Sequence, residues 1–140
     1  MIRSKWLEGK DGFEEAKEIL KECSPVNIDE KDILESLFLI IYDETDAVAC
    51  GSMKISDNMA VISHIAVKKD HQKKDLGDLV MKTLMYRAVG EAANKFVLYS
   101  PLATIVFFER YGFKVTKKDK DGAYMEVYAE DCLYPQKCCR

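Results

Sequence analysis

The stretch that most constrains this 140-residue chain runs from Val61 to Met81. Val61 to Val67 is an apolar run that reads as a buried strand. A polar loop with four lysines (Lys68, Lys69, Lys73, Lys74) and one glycine (Gly77) follows. Leu76, Leu79, Val80, Thr83, Leu84 and Arg87 then recur at the three- and four-residue spacing of a helix. A strand that feeds a loop opening onto a helix N-terminus is a place where anions bind. The first N–H groups of a helix have no internal partner, and the helix dipole favours negative charge there. Gly77 lets a ligand approach the backbone without a side chain in the way. The lysines can add charge as flexible points. Taken alone, they are equally a solvated loop face.

Around this stretch the pattern alternates strands and helices. Ile2 to Leu7 alternates as a first strand. Asp11 to Glu22 places Phe13, Ala16, Ile19 and Leu20 on one helical stripe, which Ser24-Pro25 ends. Asp29 to Glu35 reads as a short helix, acidic at its start. Leu37–Tyr42, Ala47–Ser56 and Met59–Val67 form an antiparallel meander punctuated by turn sequences at Asp43–Asp46 and Ser56–Asn58. Leu76 to Ala93 is helical and Phe96–Tyr99 is a short buried strand that Ser100-Pro101 terminates. Ala103 to Tyr111 is a helix with Gly112 at its C-cap. Strands from Phe113 and over Tyr124–Tyr128 flank a charged turn at Lys117–Gly122, and the chain from Glu130 reads as a loose tail. The helical crossover makes strands 61–67 and 96–99 parallel neighbours. The fold class is therefore α/β, with a central mixed sheet flanked by helices. In such sheets ligands bind at the C-terminal ends of neighbouring parallel strands.

Composition narrows the function classes. The length suits one domain over 1–140. With 48% hydrophobic and 32% charged residues, the chain is that of a soluble globular protein. A net charge of -3 gives no footprint for nucleic acid. There is no membrane-length apolar run and no signal-peptide core, so the cytoplasm is the expected compartment. Five cysteines are present. Cys23 and Cys50 are isolated, and Cys132, Cys138 and Cys139 lack the paired spacing of a structural zinc site, so neither a disulfide framework nor a metal is expected.

Two further segments carry a resemblance. Gln72-Lys73-Lys74-Asp75-Leu76-Gly77, after Ile65-Ala66-Val67, is similar to the coenzyme-A loop Gln/Arg-x-x-Gly-x-Gly/Ala of the GNAT (N-acetyltransferase) superfamily. Phe107-Phe108-Glu109-Arg110-Tyr111-Gly112-Phe113 resembles a later signature of the same family. The likeness spans nearly the whole chain. It implies a GNAT-like acyl-CoA N-acyltransferase fold and acetyl-coenzyme A as cofactor. The reaction it implies is transfer of an acetyl group to a primary amine, on a small molecule or a protein, by direct attack in a ternary complex. By the same resemblance, Ile65, Ala66 and Val67 would pair with the pantetheine arm. The N–H groups from Gln72 to Asp78 would wrap the pyrophosphate, through Asp75, Leu76 and Gly77, with charge from Lys73 and Lys74. Phe108 would flank the thioester. An N–H near Val67 would polarise the thioester carbonyl.

The chain departs from the family at three positions. Asp75 replaces the loop's first glycine; aspartate tolerates left-handed backbone and can cap the following helix. Phe108 stands where many members carry a tyrosine that protonates the departing thiolate, and phenylalanine cannot donate. Pro101 replaces an asparagine. Tyr99 and Tyr111 are the nearest hydroxyls to substitute for that tyrosine, Tyr99 foremost; each is otherwise a packed aromatic with its hydroxyl at the surface. His64, with a pKa suited to accepting a proton from an ammonium, is either the candidate base or a hydrogen-bonded structural histidine. It shares a strand face with Ile62 and Ala66. His71 belongs with solvent or phosphate. The acidic run Glu22, Asp29, Glu30, Asp32 and Glu35 either attracts a cationic amine or is a solvated helix face. A coenzyme-A-binding or regulatory module that has lost catalysis is the alternative, motivated by Asp75 and Phe108. Monomer and homodimer both remain open.

Overall fold

The computed structural model describes residues 1–23, 30–72 and 74–131. Seven strands are ordered β1-β2-β3-β4-β5-β7-β6: β1 (Ile2–Glu8), β2 (Leu37–Asp43), β3 (Asp46–Ser56), β4 (Met59–Val67), β5 (Lys95–Pro101), β6 (Lys114–Lys118) and β7 (Gly122–Tyr128). The helices are α1 (Gly9–Cys23), α2 (Glu30–Glu35), α3 (Leu76–Gly90) and α4 (Ile105–Glu109). The expected mixed sheet with helices is present. By contacts the chain forms two compact units, Met1–Lys54 with His64–Leu84, and Ile55–Ser63 with Met85 onward.

In the first unit, β1 pairs antiparallel with β2, and β2 with β3. The stripe expected on α1 buries Ala16, Ile19 and Leu20, with Phe13 half-buried. They pack with Ile33 of α2 and with Phe38, Ile40, Tyr42, Cys50 and Ala66 from the strands. Each large aliphatic or aromatic side chain so buried contributes roughly 1.5–3 kcal/mol. The Tyr42 hydroxyl donates to Glu15 Oε1 (2.5 Å). On the other side of β3, a Cβ at Gly51 would meet Val80 Cγ1 at 2.6 Å, Ile65 Cδ1 at 2.7 Å and Leu84 Cδ1 at 2.9 Å. Glycine is what lets α3 seat this close to β3.

In the second unit the parallel register of β4 with β5 covers Met59–Val61 and Lys95–Val97. β5 pairs antiparallel with β7, and β7 with β6. The Asp57–Asn58 turn has positive φ at both residues (52° and 64°), the geometry of a type I′ hairpin, and Asn58 O accepts the N–H of Asn94 (2.8 Å).

Three boundaries differ from expectation. α3 stops at Gly90 rather than running to Ala93, with Ala92 already left-handed (φ 67°). β5 continues through Ser100 and Pro101, because Pro101 is paired across to Gly122. The segment expected as one helix over 103–111 is a 3₁₀ turn, Leu102–Thr104, followed by the short α4, after which Gly112 takes φ 96° as its C-cap position requires. Ser24-Pro25, Asp29, Lys73 and the C-terminal cysteines lie outside the described residues. No helix among the described residues is long and apolar enough to cross a membrane.

Candidate active site

The two-residue turn sets Ser56 opposite Met59, and a regular ladder would then set Val48 opposite Val67. Instead the N–H of Lys68 donates to Val48 O (2.8 Å). β4 thus carries one extra residue, which is a β-bulge. The backbone locates it: His64 has φ 56°, left-handed conformation in the middle of a strand. Its imidazole stays on the face of Ala66, as alternation predicts, stacked on Phe38 with ring centroids 5.6 Å apart at 29°. His64 Nδ1 lies 2.6 Å from Ser52 Oγ. Burial pushes the His64 pKa below its usual 6.5, a shift partly opposed by the Asp32 carboxylate. The ring is therefore neutral at pH 7 and able to accept a proton. His64 O accepts from Cys50 Sγ (3.3 Å). Cys50 is fully buried, and burial raises its thiol pKa to about 12. That disposes of a cysteine-linked acyl enzyme there.

Beyond the bulge, Ile65 turns toward Gly51 and α3, and Ala66 toward the α1 core. Val67 O already accepts from Cys23 Sγ (3.0 Å) and Gln72 Nε2 (3.1 Å). Gln72 thus turns its side chain back onto the strand end rather than outward. The loop opens as a 3₁₀ turn, Lys69–His71. Within it the N–H of His71 bonds Lys68 O (2.8 Å), that of Gln72 bonds Lys69 O (3.5 Å) and that of Lys74 bonds His71 O (3.3 Å). Within 72–78, the N–H groups of Gln72 and Lys74 thus serve the loop itself. Asp75 adopts φ 57°, the left-handed angle a glycine would supply. Asp75 O accepts the Leu79 N–H (3.1 Å), the first bond of α3. The N–H groups of Leu76, Gly77 and Asp78 precede it at the helix start.

Charges around the loop are partly tied. Asp43 Oδ2 lies 3.7 Å from Lys74 Nζ and 3.5 Å from His71 Nε2. Lys74 therefore serves loop geometry as well as charge, and His71 does not simply face solvent. Lys82 Nζ holds the Asp78 carboxylate at 2.8 Å. Of the acidic run, Glu22 Oε1 caps the Lys69 N–H (2.9 Å), and Lys54 Nζ reaches Glu35 Oε2 (2.5 Å) and Asp32 Oδ1 (3.9 Å). Sequence reading missed Asp43 and Ser52. Ser52 carried a signal, as the polar residue inside the otherwise apolar run 47–53.

The second unit carries the remaining two candidates. Tyr99 is 42% exposed, meets Tyr124 edge-on at 4.9 Å, and donates its hydroxyl to Asp119 Oδ1 (3.0 Å). Partial desolvation, then this bond, raises its pKa above 10. Phe108 is buried and packs edge-on against Phe107 (5.1 Å) and Phe113 (6.3 Å), a core aromatic. Tyr111 is buried as well, so Tyr99 is the accessible hydroxyl of the two.

The donor set at the start of α3 suits a diphosphate: consecutive N–H groups at a helix N-terminus, a glycine among them, and a lysine beside them. A family model, Acetyltransferase (GNAT) domain, matches residues 35–115. An uncharacterized N-acetyltransferase, YjcF, of Bacillus subtilis (strain 168) is 28% identical over 109 residues, spanning 76% of this chain and 78% of that protein. The structure resembles the ribosomal-protein-S18-alanine N-acetyltransferase from Escherichia coli (TM-score 0.77, 18% identity, 92% of this chain and 94% of that one). It also resembles the PaiA N-acetyltransferase from Thermoplasma acidophilum in complex with coenzyme A (TM-score 0.73, 17% identity, 91% and 99%). At these identities the two structures speak to the fold.

Proposed function

The chain belongs to the GNAT acetyltransferase family and is an acyltransferase enzyme, and on that premise we propose that it transfers an acetyl group from acetyl-coenzyme A to a primary amine in a ternary complex. The observation that carries the reading is the continuous run from the bulge at His64 to the start of α3. It sets a neutral imidazole, the strand end and a helix N-terminus in sequence along one backbone.

Acetyl-coenzyme A supplies an acetyl thioester with a stable thiolate as leaving group. The N–H groups of Leu76, Gly77 and Asp78 bind the pyrophosphate, with Lys74 alongside. The backbone of Ile65 to Val67 orients the pantetheine arm as an added strand. Val67 contributes its N–H, since its carbonyl is taken by Cys23 and Gln72. An N–H at the bulge polarises the acetyl carbonyl as the amine nitrogen forms the new C–N bond and the C–S bond breaks toward sulfur. His64 Nε2 takes the proton the amine must lose. Phe108 contributes packing. Tyr99 can give a proton only by releasing Asp119, so the thiolate departs largely on its own stability. The acceptor arrives on the side of α1 and α2, the elements that select substrate in this family. There Asp32 and Glu35 stand beside Lys54, two carboxylates that a cationic amine can approach.

The test is release of coenzyme-A thiol from acetyl-coenzyme A across a panel of primary amines. Amine-dependent release that falls at least about tenfold in His64→Gln supports the assignment. Release that is independent of amine, or unaffected by the substitution, refutes it.

A further inference from the structure

We propose that Cys50 and Ser52 of β3 are positioning residues, two fully buried side chains that hold β4 in its bulged conformation at His64 and fix the imidazole's tautomer. This rests on the role given to the bulge above, and it concerns residues outside both signature segments.

A bulge breaks the ladder, so backbone groups beside it lose their partners. Left-handed backbone at a residue with a Cβ costs about 1–2 kcal/mol, so something must hold it. Cys50 is placed to do so twice. Its Sγ donates to His64 O (3.3 Å), and the Ala66 N–H lies within hydrogen-bonding reach of the same sulfur. A thiol offers one donor and one weak acceptor, which is what the two stranded backbone groups need. No water can replace it, since Cys50 has no exposed surface. Burial also keeps the thiol protonated, so the donated bond persists across the working pH range.

Ser52 acts on the side chain of the same residue. Its Oγ is fully buried and 2.6 Å from His64 Nδ1, while Phe38 covers the ring face. With the serine oxygen accepting from Nδ1–H, the lone pair of the neutral ring sits on Nε2, the nitrogen that takes the amine's proton. A serine donating to Nδ1 instead would place the proton on Nε2 and silence the base. In the proposed role Ser52 accepts from Nδ1–H and so keeps Nε2 basic, and Cys50 sets where the ring and the neighbouring N–H groups stand.

The test uses Cys50→Ala, Cys50→Ser and Ser52→Ala in the full chain. Three readouts are followed: steady-state acetyl transfer against pH, coenzyme-A affinity, and amide hydrogen exchange of residues 64–67. Cys50→Ala is expected to lower kcat by about 10- to 100-fold. Coenzyme-A affinity should stay within about threefold, because the loop at 74–78 is untouched, while the Ala66 amide exchanges at least about tenfold faster. Cys50→Ser, which keeps a donor and an acceptor, should recover most of kcat and of the protection. Ser52→Ala should lower kcat and move the acid limb of the rate profile to lower pH, since the imidazolium loses an acceptor. Should Cys50→Ala not fold, Cys50→Ser and Ser52→Ala still decide. Unchanged kcat with unchanged Ala66 exchange in Cys50→Ala, a Cys50→Ser protein no better than alanine, or an unmoved acid limb in Ser52→Ala would overturn the proposal. If no amine is acetylated even by the unaltered protein, yet Ala66 exchange responds to Cys50→Ala, the bulge clamp stands and the acetyl-transfer reading falls.

Discussion

Replacing Asp75 separates backbone geometry from charge at the anion site. Asp75 has φ 57° and stands immediately before the helix-start N–H groups. Holding aspartate there costs about 1 kcal/mol, the low end of the left-handed penalty, because its short polar side chain tolerates the angle better than alanine does. Glycine avoids that cost but gives up roughly 0.5–1 kcal/mol of extra backbone entropy on folding, so the two nearly cancel. The melting temperature of Asp75→Gly without ligand should therefore move by only a few degrees. Charge does not cancel. A carboxylate about 6 Å from a diphosphate with two negative charges is repelled by about 1.4 kcal/mol in water, and by less in salt. Its removal should tighten coenzyme-A binding by about 3- to 10-fold at low ionic strength. Asp75→Asn tolerates the same backbone and should show the same gain in affinity with little change in stability. Asp75→Ala gains affinity but loses about 1 kcal/mol of stability, because alanine resists positive φ. Calorimetric titration at low and at physiological salt, with thermal unfolding of each free protein, measures both quantities. If Asp75→Asn binds coenzyme A no better than the parent at low salt, the carboxylate does not face the anion and the placement of the site is wrong.

Because burial lowers the His64 pKa, the rate should hold down to pH 6.5 and fall only below it. Stability attached to the neutral ring is present above pH 6.5 and is lost as pH falls toward the lowered value, because the unfolded chain takes the proton first. His64→Gln should remove that acid limb in rate–pH and unfolding–pH profiles, and a limb that persists assigns it to another group. Gly51→Ala should cost about 1–3 kcal/mol by forcing Val80, Ile65 and Leu84 apart, read as a melting temperature lower by roughly 3–10 °C. An unchanged melting temperature would mean that α3 shifts freely. Tyr99→Phe should lower kcat by less than about tenfold, since the hydroxyl is engaged with Asp119. A larger loss would make Tyr99 the main proton donor.

Much of the fold was legible because it rests on local periodicity. β4 was read with the boundaries it has, and the stripe on α1 was read residue by residue, since burial on one face writes itself into spacing. The helix expected over 103–111 was overextended: Phe107, Phe108 and Tyr111 are apolar at helical spacing, but the chain spends Leu102–Thr104 in a 3₁₀ turn stabilised by Ser100 Oγ and Thr104 Oγ1 at 2.8 Å. The anion loop was legible as strand, loop and helix start. The bulge was not, because an extra residue in β4 shows only against the count of its partner strand. The contacts of Asp43, Ser52 and Cys50 stayed hidden as well, although Ser52 stood out as a polar residue in the run 47–53: each meets its partner more than ten residues away in sequence, where spacing does not pair them.

The most direct measurement of the central claim is a calorimetric titration of acetyl-coenzyme A into the unaltered protein and into Gly77→Glu, which adds bulk and negative charge among the helix-start N–H groups. Saturable one-to-one binding by the unaltered protein, abolished by the substitution while the variant remains folded, is the expected result. Absence of binding at millimolar ligand, or equal affinity in the two proteins, would contradict it.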